Sequence, residues 1–176
     1  STSDNRFKVN GAAYLIKWKD IQQQNRLGCG FQFTDNAGEA EIKGFELEFS
    51  AVPVEGLTLD FGLGYANAEI TDTGGVSGVN VGDKIQGVPN WTFTGSGEYV
   101  FTVSDEAEGF VRADISRYGR SFSANNESSA ATQRLRPAWT TMNVRFGVMK
   151  DNWEVALFVD NLTDKRANLG DNRSIA

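Results

Sequence analysis

Histidine is absent from the 176 residues, cysteine occurs once, methionine twice and proline three times. Without imidazole the usual general base at neutral pH and the His-rich metal site are excluded, and a single thiol makes neither a multi-Cys zinc site nor an internal disulfide. There is no run of ~20 apolar residues to cross a membrane as a helix, and the opening STSDNRFK has no apolar leader core. Positive charge is scarce too: 17 Lys+Arg against 23 Asp+Glu leave a formal net charge of −6, which argues against nucleic acid as a partner. No cofactor is expected.

What the sequence does have is alternation, in a chain with 19 Gly and 40% hydrophobic residues. A transmembrane strand shows lipid only every second residue, so a membrane protein can be rich in polar residues if its period is two. FELEFSA from Phe45 sets Phe45, Leu47, Phe49 and Ala51 against Glu46, Glu48 and Ser50, and LTLDFGLGY from Leu57 repeats the rule. WTFTGSGEYVF from Trp91, FVRADISRYGR from Phe110, WTTMNVRFGV from Trp139 and WEVALFVD from Trp153 follow it, only Phe158 breaking the last pattern. AAYLIKWK is looser, with Tyr14, Ile16 and Trp18 opposite Lys17 and Lys19. These make seven candidate strands. Tight connections at 53–56, 104–109 and 149–152 alternate with long polar ones at 24–40, 71–90 and 121–136. Strict alternation of short and long connections is the pattern of an up-and-down antiparallel barrel crossing an outer membrane, turns on one side and loops on the other. Trp18, Trp91, Tyr99, Phe101 and Trp153 lie at run ends, as interfacial girdles require.

The face away from lipid then lines a lumen. Its charged set is Lys17, Lys19, Glu46, Glu48, Asp60, Glu98, Arg112, Asp114, Arg145, Glu154 and Asp160. Both signs are mixed, so cross-strand ion pairs are expected, Lys17 and Lys19 beside Glu46 and Glu48 and Arg145 beside Glu154, each worth up to ~1 kcal/mol. Tyr118, Arg120, Asn125, Asn126, Arg134, Arg136 and Trp139 gather around the third long connection. Guanidinium and aromatic groups suit an anionic chelate or a sugar through bidentate hydrogen bonds and stacking. They equally suit an outer loop meeting lipid phosphates or neighbouring acids.

Cys29, in Gly-Cys-Gly, leaves two readings: a bridge to a segment outside this sequence, or an unpaired loop thiol. Asp72 and Asp83 lack the ordered ligand spacing of a calcium loop. Glu98, Asp114 and Glu154 share a face, but nothing in their spacing makes a glycosidase pair. Seven strands do not close neatly, since antiparallel single-chain barrels generally use an even number.

Several segments resemble, in order, the C-terminal half of the barrel of TonB-dependent outer-membrane receptors. They are YLIKWKDIQ from Tyr14, AEIKGFELEFSAVPVEGLTLDFGLGYANAEIT from Ala40, GDKIQGVPNWTFTGSGEY from Gly82, and DNLTDKR from Asp160. Ala167 departs from the aromatic residue often found after the last segment. The resemblance implies that residues 1–176 are a portion of a transmembrane barrel of ~22 strands, with the plug and final strand outside this chain. It also implies integral multi-pass residence in a bacterial outer membrane. The implied partners are outer-membrane lipid, the rest of the same receptor, the TonB system, and a scarce small-molecule substrate, foremost an iron–siderophore complex. The alternative is a small structural or adhesive outer-membrane barrel, against which the odd strand count and mid-face Gly62 and Gly64 argue. An enzyme is disfavoured by the missing histidine, and a soluble β-sandwich by the stripe from Leu57 to Tyr65.

Overall fold

The computed structural model describes residues 6–26, 32–36, 38–75, 79–122 and 134–168, with side chains described at all of these except 23–26 and 32–36. They are all β and antiparallel. The strands are β1 (Phe7–Lys19), β2 (Gln22–Arg26), β3 (Gln32–Asn36), β4 (Glu39–Ala51), β5 (Leu57–Asp72), β6 (Trp91–Ser104), β7 (Ala107–Tyr118), β8 (Ser121–Phe122), β9 (Leu135–Arg136), β10 (Trp139–Lys150) and β11 (Trp153–Val159). Seven of them form one meandering sheet in the order β1-β4-β5-β6-β7-β10-β11. The other four make two short pairs, β2 with β3 and β8 with β9, inside the first and third long connections.

Local chemistry sets the tight ends. Between β4 and β5 the Leu57 amide donates to the Val54 carbonyl at 3.2 Å, and Gly56 takes a left-handed φ of +80°, which only glycine adopts without penalty. The expected turn at 104–109 is shorter than its composition suggests: Asp105 and Glu106 alone separate β6 from β7. Asp151 and Asn152 join β10 to β11, with Asp151 at φ +50°, a conformation a short polar side chain tolerates.

Described parts of the long connections carry backbone bonds that their polar composition does not predict. Residues 82–90 run beside the end of β5, where the Ile70 amide donates to the Asp83 carbonyl at 2.8 Å and the Ile85 amide to that of Ala68 at 3.0 Å. The second long connection is tied to the third by the Gly87 amide, which donates to the Phe122 carbonyl at 2.9 Å. At the strand ends, the Gly119 amide donates to the Trp91 carbonyl at 2.7 Å. Backbone bonds of this kind leave no trace in side-chain periodicity.

Cross-strand register shows which residues share a face. One face, the band face, carries Phe7, Val9, Leu15, Phe45, Leu47, Phe49, Leu59, Phe61, Leu63 and Tyr65, continuing through Phe93 and Tyr99 to Val111, Ile115, Met142, Phe146, Leu157 and Val159. Trp153 on this face is 78% exposed and Leu157 65%, in a row of exposed apolar side chains. The opposite face, the wall face, carries Glu46, Glu48, Asp60, Glu98, Arg112, Asp114, Arg145 and Glu154.

Toward the long connections the two faces exchange character. On the band face Leu15 gives way to Lys17 and Lys19, Phe45 to Lys43, Glu41 and Glu39, Tyr65 to Asn67 and Glu69, and Ile115 to Arg117. On the wall face the charges give way to Tyr14, Ile16, Trp18, Ile42, Ala66, Ala68 and Ile70. Ile21, Ala40 and Ile70 form a buried cluster there, with Val79 and Ile85 of the second connection packed against it. The hydrophobic contact that elsewhere waits on the band face is thus made, at this end, on the wall face by the chain's own connection.

This exchange overturns one expectation. Lys17 and Lys19 do not stand beside Glu46 and Glu48: they pair in register with Glu41 and Glu39 on the band face. Trp18 likewise belongs to the wall face and to no band-face girdle. The apolar set Tyr14, Ile16 and Trp18 resembles a lipid-facing stripe in isolation, and only pairing with β4 shows that it continues the row of Glu46 and Glu48.

Candidate functional site

The wall face in mid-sheet is a network of arginines and acids. Arg112 makes a bidentate pair with Asp114, Nε to Oδ2 at 3.1 Å and Nη2 to Oδ1 at 2.7 Å, and its Nη1 lies 3.8 Å from Glu98 Oε2. The fork geometry of guanidinium holds both acids with one side chain. Arg145 bonds Glu154 on the adjacent strand and lies over the Phe110 ring, 5.5 Å from its centroid. Phe110 is buried in the space that Gly147 leaves, since a Cβ there would sit 2.9 Å from the Phe110 ring. Farther along, Asn10 donates to Glu48 at 3.3 Å.

A concavity of about 730 Å³ on this face is lined by Arg112, Asp114, Asn143, Arg145, Glu154 and Asp160. A second, of about 400 Å³, is lined by Glu48, Asp60, Ser96, Arg112 and Asp114. Arg112 and Asp114 belong to both. The arrangement offers a wetted surface of fixed charges with hydrogen-bonding capacity to spare. Asp114, Glu98 and Glu154 are each held by an arginine. Among the described residues no group of three or more His, Cys, Asp or Glu could hold a metal ion. The Asp72 and Asp83 carboxylates accept the amides of Gly74 at 2.8 Å and Asn80 at 2.7 Å in local turns.

At the long-connection end of the same face, Tyr118 of β7 and Trp139 of β10 are cross-strand partners and stack, centroids 4.3 Å apart at 21°. Register places both on the wall face, because Tyr118 also pairs with Thr92 and lies two residues beyond Ser116. Above them Ser121 pairs with Arg136. Arg120 is exposed between β7 and β8, Arg134 is exposed before β9, and Arg136 is half-buried in β9. Of the residues gathered by sequence around this connection, the structure stacks Tyr118 on Trp139 and sets Arg136 opposite Ser121 in the β8–β9 pair. Asn125, Asn126 and Cys29 lie outside the described residues.

Sequence reasoning missed three participants. Asn10 and Asn143 escaped attention as uncharged, although their alternation with apolar neighbours marks the face. Phe110 leaves no signal in the sequence, because an aromatic residue on a charged face breaks the alternation.

Comparison with known proteins gives this geometry a family. Residues 2–162 match the family described as TonB dependent receptor-like, beta-barrel. The chain belongs to that family, whose members are outer-membrane β-barrel proteins and transport receptors. A curated relative, the metal-pseudopaline receptor CntO of Pseudomonas aeruginosa, is 27% identical over 164 residues, covering 93% of this chain. The chain spans about 22% of that relative's length. Among solved structures, the ferric yersiniabactin uptake receptor FyuA of Yersinia pestis matches with a TM-score of 0.73 at 19% identity, over 93% of this chain and 23% of that one. The siderophore receptor PiuA of Acinetobacter baumannii matches at 0.68 and 18%, over 94% and 23%. These likenesses establish the antiparallel barrel sheet as the fold.

Proposed function

We propose that the chain forms part of the wall of an outer-membrane receptor that takes up a metal chelate, an iron–siderophore complex in the first place. In this reading the band face meets lipid and the wall face lines the passage. Support comes from family membership and from a relative and fold neighbours whose names speak of metal-chelate and siderophore uptake. The observation that carries the reading is the division of the wall face. Paired charges occupy its middle, where a hydrated passage is needed, and a stacked aromatic pair stands at its loop end.

Tyr118 and Trp139 present ring faces and edges at the mouth, and Arg120 and Arg136 supply planar donors for carboxylate or phenolate oxygens of a chelate. Below, Arg112, Arg145, Glu98, Asp114 and Glu154 keep the passage wet and hold their own charges by pairing. The plug, the remaining strands and TonB complete the receptor as partners outside this chain.

The test uses the full-length receptor in cells deprived of iron and lacking other ferric receptors. Uptake of a radiolabelled ferric chelate is expected to require both this gene and TonB. Tyr118→Ala with Trp139→Ala is expected to weaken chelate binding about tenfold, the equivalent of ~1.4 kcal/mol, with the barrel still migrating as folded in unheated gels. Uptake that is the same with and without the gene, across a panel of ferric chelates, overturns the reading.

A further inference from the structure

The line along which band-face residues change from apolar to polar or charged crosses the sheet obliquely. It falls between Leu15 and Lys17 on β1, between Phe45 and Lys43 on β4, between Ile115 and Arg117 on β7, and between Met142 and Thr140 on β10. Followed through the register from β1 to β10, it shifts by six residues over five strand steps. At ~3.3 Å per residue and ~4.8 Å between strands, that slope corresponds to strands inclined by about 40°, within the ~35–45° of transmembrane barrels. Tilting the strands by this angle makes the line level. In the reading of the band face as lipid-facing, it marks the outer edge of the hydrocarbon layer.

What stands immediately above that edge, on the face that meets lipid below it, faces the lipid head groups. Five cationic side chains lie there, Lys17, Lys19, Lys43, Lys84 and Arg117, against the carboxylates Glu39, Glu41 and Glu69. Asp72, beyond the bulge at Glu39, is engaged by the Gly74 amide. The local balance is positive on a chain whose formal net charge is −6.

The pairing within this ladder presents the cations outward. Lys19 lies 3.7 Å from Glu39 with its side chain 70% exposed against 48% for the acid, and Lys43 lies 2.5 Å from Glu41 with 66% against 25%. Glu41 takes one of the three donors of the Lys43 ammonium, leaving the others for an anion. Arg117 spends Nη1 on Thr140 at 3.0 Å, and a guanidinium has five N–H donors in all. Lys84 bonds both Asn67 and Glu69, which fixes the second connection to the ladder.

The geometry points to this ladder as a binding site for phosphate groups on the head groups of outer-leaflet lipid, with the acyl chains continuing down the band face past Phe45, Tyr65 and Trp91. The inference rests on the reading of the band face as lipid-facing and adds to it a preference for phosphorylated lipid.

The experiment reconstitutes the full-length receptor in phosphatidylcholine bilayers holding equal minor fractions of bisphosphorylated lipid A and its dephosphorylated form, and measures co-purifying lipid by native mass spectrometry. Selective retention of the phosphorylated form is expected, falling several-fold in the variant Lys17→Gln, Lys19→Gln, Lys43→Gln, Arg117→Gln. Equal retention of the two forms, or retention unchanged in the variant, overturns the proposal. Ferric-chelate uptake by the same wild-type receptor is scored separately, so that failure of lipid selectivity is distinguished from failure of the receptor reading. If the fourfold variant does not fold, the single variants Lys19→Gln and Arg117→Gln, both at exposed positions, replace it with the same criteria.

Discussion

Asn161 shows how a short motif can be structural in this chain. It follows β11 in the left-handed region at φ +51°, as Asp164 does at +47°. Its side-chain carbonyl accepts the Lys165 amide at 2.9 Å, its side-chain amide donates to the Lys165 carbonyl at 3.2 Å, and its backbone amide donates to Asn143 Oδ1 at 2.8 Å. The Leu162 amide donates to the Met142 carbonyl at 2.8 Å, so the segment DNLTDKR ends one strand and fastens it to its neighbour. Asn161→Ala removes both side-chain bonds and puts a Cβ-bearing residue without local hydrogen bonding into the left-handed region, and is expected to destabilise by ~2–3 kcal/mol. Asn161→Gly keeps the backbone freedom and should lose only ~1–2 kcal/mol. Urea unfolding of the full-length receptor in detergent checks the order of the two. Chelate uptake per folded receptor should be unchanged in both, since Asn161 shapes a turn and touches no proposed ligand position.

Strands divide by what surrounds them at each height. Phe61 lies in the apolar stretch of β5, between Phe49 and Phe93, its ring 6.2 and 6.4 Å from theirs. Phe61→Arg is expected to cost ~2–4 kcal/mol, as a charge near the bilayer midplane does, whereas Lys43→Leu, above the apolar stretch of β4, should change stability by ~1 kcal/mol or less. Refolding of the full-length receptor into lipid vesicles at graded urea measures both; equal costs would place the membrane elsewhere. The seven long strands, their order and their alternating connections were legible because period two is a local signal and hairpins join sequence neighbours. The exchange of faces was not, because alternation tells which residues share a side and leaves open which side meets lipid. On β1 that choice requires the partners of Lys17 and Trp18, which are more than 20 residues away in Glu41 and Ala40. The pair β2 and β3 was hidden for another reason: QQQNR and QFTDN are too polar to alternate. The aromatic pair at the mouth was visible as composition, but its stacking depends on the register of β7 with β10.

For the whole molecule, the placement of the four tryptophans makes the orientation measurable. Trp91 and Trp153 stand on the band face, at its loop and turn ends, while Trp18 and Trp139 stand on the wall face. In single-tryptophan versions of the full-length receptor, brominated lipid should quench Trp91 and Trp153 strongly and leave Trp18 and Trp139 nearly untouched. Quenching of Trp18 comparable to that of Trp91 would reverse the assignment of faces on β1. The bonds that tie 82–90 to β5, and Gly87 to Phe122, carry a kinetic consequence. The amides of Ile70, Gly82, Ile85 and Gly87 should exchange with deuterium at one shared rate, because opening any of them requires lifting the whole segment off the cluster of Ile21, Ala40 and Ile70. A disturbance arriving at Phe122 would then reach Gly87 directly, and residues 82–90 would answer it as one piece.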